Sequence, residues 1–412
     1  MSAVLEHIKI KNVDIPVIFE QDNSLPIAAV QLVFQKSGSI EDGNLSGLAK
    51  MSAKMLSQGT KSLGNVGFAK ALEERAIRFG VSAGTETMVM EMSALKSEFA
   101  KGADLLKQLF VEPNLNEDTL KKVKTTTLGY LSRKKSDYDY IASINLKRIL
   151  FENTPLQNPS DGTEESIQKI TLKDIEDFLT KHLVLQRLII VIGGDLTFDE
   201  AKKLLQNLLD PLAVGENEPL PFYEASDKQK EVVTKEETEQ AYIYFGAPYH
   251  MRVDSDELYK SKVAMFILGA GGFGSRMMEE IRVKRGLAYS AYSFARITKS
   301  HSYFTGYLQT KLESQKEAKE LVKEVVQKFV EDGVSQKELD AAKKFLLGSE
   351  PLRNETLSQR LSRAFSEYYN GHPLGYSKEE LSRIEKLKLD DLNAFIKAHP
   401  EITKLSFSIV TQ

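Results

Sequence analysis

The chain contains no cysteine and no tryptophan. The first absence removes disulfides, thiolate metal sites and a cysteine nucleophile in one step. It leaves the redox compartment open, since a cysteine-free protein persists in either environment. An excess of one charge is also missing. The 55 Lys and Arg residues face 58 Asp and Glu, a formal net charge of −3, so no global field draws the chain to nucleic acid or to an anionic membrane. Long apolar runs are absent as well: stretches such as Leu188-Ile-Ile-Val-Ile192 fall far short of the ~20 residues that span a bilayer. The amino terminus, Met1-Ser-Ala-Val-Leu-Glu-His-Ile-Lys-Ile-Lys11, alternates apolar and polar residues and reads as an edge strand, not as a basic segment followed by an apolar one. The expectation is a soluble chain of the cytoplasm, with the periplasm as the alternative if a signal peptide was removed.

What is present is a repeat. The 412 residues are too many for one ordinary core and suggest two domains. Ile167, Ile170, Leu172, Asp174, Ile175 and Phe178 correspond to Ile384, Leu387, Leu389, Asp391, Leu392 and Phe395, at a constant offset of 217. Thr154-Pro-Leu156 precedes the first copy and His372-Pro-Leu374 the second, and an apolar strand follows each. Each half opens with period-two strands, continues through a helix with a glycine-containing break, and then carries long charged amphipathic helices such as 313–333 and 335–347. This order implies an α+β fold of two homologous sandwich domains, each a mainly antiparallel sheet covered by helices. The expected division is residues 1–215, a linker over 216–230 and residues 231–412. The stretch Ala213-Val-Gly-Glu-Asn-Glu-Pro-Leu-Pro-Phe-Tyr-Glu-Ala225 supplies two prolines, a glycine and three acids there. Two similar domains on such a linker suggest a hinged, clamshell-like arrangement.

The second half carries Ser275-Arg276 and then Arg282-Val-Lys-Arg-Gly-Leu-Ala-Tyr289-Ser. This run resembles the signature of the carboxy-terminal domain of insulinase/pitrilysin zinc peptidases, and in particular the processing-peptidase-like members. In that family an Arg and a Tyr seven residues apart help to hold the substrate main chain and polarise its carbonyl. The resemblance therefore implies a substrate-binding role for Arg282 and Tyr289. The chemistry suits it, because a guanidinium is permanently charged and forked and a phenol can donate to an oxygen that gains charge. The plain structural alternative is an exposed helix arginine and a packed strand tyrosine.

The first half carries Gly47-Leu-Ala-Lys-Met-Ser-Ala-Lys-Met-Leu-Ser-Gln-Gly-Thr60. It is similar, without a gap, to the family segment Gly-Leu-Ala-His-x-x-Glu-His-Met-Leu-x-x-Gly-Thr. Residues i and i+4 share a helix face, so two histidines there would grip one zinc ion. Here Lys50 and Lys54 stand at the ligand positions and Ala53 at the general base. Protonated lysines offer no lone pair and repel a divalent cation. The family's third ligand, a Glu some seventy-odd residues on, is expected near 121–135, a stretch with no acid at all. The resemblance thus implies a degenerate metal site with no metal, no cofactor and no catalytic residue in cis.

The remaining features are weaker. His7, His182, His250, His301, His372 and His399 show no paired metal spacing and read as surface or capping residues. Gly269-Ala-Gly-Gly-Phe-Gly274 satisfies a dinucleotide pattern, but 258–268 before it reads as a helix and no acid lies between Ile281 and Leu312 to meet a ribose. A flexible helix-to-helix turn is the expectation. The same region is basic, with Arg276, Arg282, Lys284, Arg285, Arg296, Lys299 and His301. It reads either as a solvated strand edge or as a lining for acidic peptide segments or a partner subunit.

The resemblance implies a non-catalytic subunit that binds peptide, docked as an added strand on a sheet edge, and completes the chamber of a homologous zinc-bearing peptidase subunit. Metalloendopeptidase activity would then appear only in that heterodimer. The alternative is a homodimeric peptide-binding or scaffolding protein without peptidase activity. A third reading, an active peptidase with unorthodox ligands, requires stoichiometric zinc in the purified chain.

Overall fold

The computed structural model describes residues 2–412 and divides into two compact units, each an α+β layer structure around its own core. The first unit holds a mixed sheet of β1 (Val4–Ile10), β2 (Val13–Gln21), β3 (Ile27–Gln35), β4 (Arg78–Ala83), β5 (Thr87–Leu95) and β6 (Leu188–Gly194) in the order β1-β2-β6-β3-β5-β4. The amino-terminal strand is the outer strand of this sheet, as its alternation requires. The second unit holds β7 (Tyr223–Glu224), β8 (Glu231–Lys235), β9 (Gln240–Pro248), β10 (Ala288–Ile297), β11 (His301–Lys311) and β12 (Ser406–Thr411). Its main path is β10-β11-β9-β12-β8, with β7 on β11.

The two sheets share one topology. β6 runs parallel to β2 and antiparallel to β3, while β12 runs parallel to β8 and antiparallel to β9. All other main-path neighbours are antiparallel. The sequence repeat is the repeat of this design. Ile167, Ile170, Ile175 and Phe178 are buried in the first core, and Ile384, Leu387, Leu392 and Phe395 occupy the equivalent places in the second. The periodicity survives because each position must present an apolar side chain to its own sheet.

Unit membership does not follow a single cut in the chain. The first unit comprises the chain up to Ser132, Pro159–Leu220 and Arg353–Tyr368, and the second comprises Arg133–Asn158, Pro221–Leu352 and Tyr369–Gln412. Each unit therefore carries one helix from the other half of the sequence. Tyr138–Leu150 lies on β9 and β12 of the second unit, where Leu146 and Leu150 come so close to Gly246 that a Cβ there would stand 2.8 Å from Leu150 Cδ1. Leu357–Tyr369 occupies the matching repeat position, within two residues of the 217 offset. In the first unit Arg360, from this helix, bonds Glu20 Oε1 at 2.7 Å and Asp22 Oδ2 at 2.7 Å. The Glu20 side chain is 0% exposed and among the described residues its Oε2 has no hydrogen-bond partner, so this guanidinium, through Oε1, is what neutralises it.

Two histidines that read as surface or capping residues in the sequence are instead buried. In the first unit His182 Nδ1 lies 2.6 Å from Arg187 Nη1, whose charge disfavours a protonated imidazole, and 2.9 Å from Lys36 O. Burial and that guanidinium hold the His182 pKa down at about 3. In the second unit His301 stacks against Tyr303, meets the edge of Phe151 and faces Ser300 Oγ at 2.8 Å, and burial lowers its pKa to about 3.

Arg360→Ala, which leaves Glu20 buried and unpaired, should lower the unfolding free energy by about 3–5 kcal/mol in urea titrations. A loss under about 1 kcal/mol would show that Glu20 is not held by this pair. The histidines give a pH dependence of definite sign. Both pKa values are depressed in the fold, so their contribution is complete above about 6.5 and is lost as pH falls toward about 3. Each site should add a slope of about 1.4 kcal/mol per pH unit within that window. Unfolding titrations at pH 7 and pH 5 check it, and His301→Gln should remove its share of the slope.

Candidate functional site

Two clusters concern chemistry, one in each unit. In the first unit the helix Leu48–Leu56 begins at Gly47, whose φ of +93° favours glycine, and Gly47 has no side chain to cap the helix. Asp42 supplies the cap from five residues upstream, accepting from the amides of Gly47 at 2.7 Å and Ala49 at 2.8 Å. Burial pushes the Asp42 carboxyl up to about 7 in spite of those two donors. The helix buries Leu48, Ala49, Met51, Ala53, Met55 and Leu56, which leaves Lys50 and Lys54 side by side on the other face.

The two ammonium groups are held differently. Lys50 Nζ pairs with Asp161 Oδ1 at 2.7 Å. Lys54 Nζ donates to Thr127 Oγ1 at 2.8 Å and has no carboxylate within ion-pair distance among the described residues. Burial of that ammonium lowers its pKa, although the residue as a whole is exposed. Thr127 lies on the helix Glu117–Lys134, in the stretch where the resemblance expects a third ligand. Its signal was legible as a position but not as a residue type. Asp161 had no sequence signal, because it comes from a loop 111 residues beyond its partner. Two ammoniums, an alanine methyl and a threonine hydroxyl do not fit a zinc ion. Among the described residues no group of three or more His, Asp or Glu could hold a metal.

In the second unit the segment read as a helix over 258–268 is helical, as Leu258–Met265 followed by the π-helical turn Phe266–Ala270. The glycine-rich stretch then turns the chain into a second π-helical turn, Met278–Val283, which carries Arg282. Here the Lys284 amide donates to Glu279 O, five residues back. Met277, Met278 and Ile281 are buried, and Met278 Sδ accepts from the Ala291 amide of β10. Arg282 is left half-exposed on the opposite side.

Tyr289 emerges for a separate reason. The pairing of β10 with β11 slips between Ala288 and Ala291, and this bulge turns Tyr289 outward until it is 82% exposed. The result brings the two sequence-identified residues together: the Arg282 guanidinium sits 4.3 Å from the Tyr289 ring centroid. It also sits 4.7 Å from the centroid of Phe273, a residue of the glycine-rich turn that the motif did not single out. Two other cations of the region, Arg276 and Lys284, are already matched. Arg276 forms a forked pair with Glu338 and bonds Gly333 O, and Lys284 pairs with Glu280. Burial works to raise the Glu338 pKa, but Arg276 and the Ser335 bonds outweigh it and hold it at about 2.

Comparisons with known proteins agree with this geometry. Residues 16–164 match the model of the insulinase (peptidase M16) family, and residues 169–346 match that of the peptidase M16 inactive domain. A non-peptidase homolog, YmxG, of Helicobacter pylori is 47% identical over 410 residues, which cover 100% of this chain and 95% of that one. Among solved structures, the peptidase M16 inactive domain from Pseudomonas fluorescens superposes with a TM-score of 0.90 at 24% identity, over 99% of this chain and 98% of that one. A protease from Helicobacter pylori has the same fold, with a TM-score of 0.85 at 19% identity and full coverage of both chains.

Metal analysis tests the first cluster. The wild-type chain purified from zinc-supplemented medium should retain less than about 0.1 zinc per chain, and a variant combining Lys50→His, Ala53→Glu, Lys54→His and Thr127→Glu should retain about one. A full equivalent of zinc on the wild type would overturn this account of the Lys50 and Lys54 pair.

Proposed function

The chain belongs to the insulinase family of M16 peptidases as a non-peptidase member, and from that premise we propose that it binds an extended peptide through Arg282 and Tyr289 and completes the substrate chamber of a homologous zinc-bearing subunit. The observation that carries this reading is an asymmetry between the two clusters. The first has ammonium groups where a metal would need ligands. The second retains a charged donor and a phenol donor, adjacent and accessible. A chain that had simply lost its activity would have no reason to keep such a pair assembled by a π-helical turn on one side and a β-bulge on the other.

In this role Arg282 and Tyr289 do no chemistry of their own. The guanidinium and the phenol hold a peptide carbonyl by hydrogen bonds, and those bonds strengthen as the oxygen gains negative charge. The bond-breaking groups come from the partner subunit. The rival is a homodimer that binds peptide without a peptidase partner.

Co-purification with a zinc-bearing homologue from the same cell, followed by peptide cleavage, tests the proposal. The mixed complex should cleave an extended peptide that neither chain alone cleaves. Arg282→Ala and Tyr289→Phe should each lower kcat/KM at least about tenfold with the complex intact. Unchanged cleavage in both variants sinks the proposal. A persistent homodimer that ignores the homologue favours the rival.

A further inference from the structure

Building on the reading that Arg282 and Tyr289 hold a peptide, we propose that the peptide is acidic: one carboxylate sits on the fork of Arg282, and a second sits farther along β10 at Arg296 and Lys299. The Arg282 guanidinium is flanked by the rings of Phe273 and Tyr289, at 4.7 and 4.3 Å. Aromatic contacts of this kind engage the faces of the planar cation and leave its in-plane N–H donors free. No carboxylate lies within ion-pair distance of it among the described residues. A guanidinium without a carboxylate partner offers the fork that a carboxylate fits with two parallel hydrogen bonds.

The surroundings carry the same preference. From Ile281 to Leu312 the chain has no acid, and the cations in and beside this stretch are held in different ways. Arg276, just before this stretch, and Lys284 within it are neutralised by Glu338 and Glu280. Arg282, Arg296 and Lys299 have no carboxylate partner among the described residues, and Arg296 and Lys299 rest instead near the rings of Phe294 and Tyr369. β10 is the outer strand of its sheet, so its far edge is available to a peptide backbone.

The face of the strand turned away from the core adds an apolar component at the sheet edge. Ala291 and Ser293 turn into the core, so Tyr292, Phe294 and Arg296 share the other face. There Tyr292, Tyr307 and Tyr244 stand in register across three strands, with Tyr244 and Tyr307 stacked at 5.3 Å, and the row ends at Tyr244, whose hydroxyl donates to Asp139 of the helix Tyr138–Leu150. Tyr292 and Phe294, on the edge strand itself, offer the apolar contacts, so a peptide that alternates acidic and apolar residues fits beside them. Tyr289 and Arg296 are seven positions apart on a strand, which spans roughly 20 Å and sets the separation of the two carboxylates. Charges that merely protect an edge from aggregation need no aromatic neighbours, whereas Arg282 sits against two rings.

Fluorescence anisotropy on the full chain tests this with three labelled ten-residue peptides in which Val alternates with Glu, Gln or Lys. The Glu peptide should bind at least about tenfold more tightly than the Gln peptide, the Lys peptide more weakly than either, and the Glu advantage should shrink as salt is raised. Arg282→Gln and Arg296→Gln, both at accessible positions, should each reduce the Glu-to-Gln affinity ratio to below about three, with melting temperatures recorded as a check on folding. Equal binding of Glu and Gln peptides, a preference for Lys, or a ratio unchanged in both variants overturns the acidic preference alone and leaves peptide holding by Arg282 and Tyr289 intact. Failure of every peptide to bind overturns both.

Discussion

The Glu20 side chain is shut away from solvent, and among the described residues a single cation pairs with it. That cation, Arg360, arrives 340 residues later in the chain. A buried carboxylate without a partner costs several kcal/mol, so the first unit is complete only when the helix Leu357–Tyr369 has come back to it. The second unit carries the reciprocal debt in apolar form, with Gly246 shaped to receive Leu146 and Leu150 from the helix Tyr138–Leu150. The repeat thus specifies two cores that each depend on the other half of the sequence, and chain continuity alone would not have required it.

On this scaffold the two clusters have diverged in opposite senses while their supports have been kept. The helix Leu48–Leu56 retains its capped start and its apolar face, so Lys50 and Lys54 remain side by side where imidazoles would sit in a metal-binding relative. The loss is one of donor chemistry, not of geometry. In the second unit the backbone irregularities do the positioning. A π-helical turn leaves Arg282 on the outer side of its segment, and a bulge in β10 turns Tyr289 to meet it. The pair they form is a guanidinium 4.3 Å from a ring centroid, with the tyrosine exposed.

Much of this was legible in the sequence because it rests on periodicity and local spacing. The repeat, the edge strand at the amino terminus and the α+β class depend only on which residues face the core, and that recurs every 2 or every 3.6 positions, whereas the frame around Lys50, Ala53 and Lys54 was visible through the family resemblance. The seven-residue spacing of Arg282 and Tyr289 was likewise visible. What tertiary structure alone decided are the contacts that join distant segments or turn on backbone geometry: Asp161 beside Lys50, Thr127 beside Lys54, Phe273 on Arg282, Arg360 on Glu20, and the burial of His182 and His301. Pattern reports which way a side chain faces. It carries no record of which remote loop closes over that face, because that is set by the path of the whole chain.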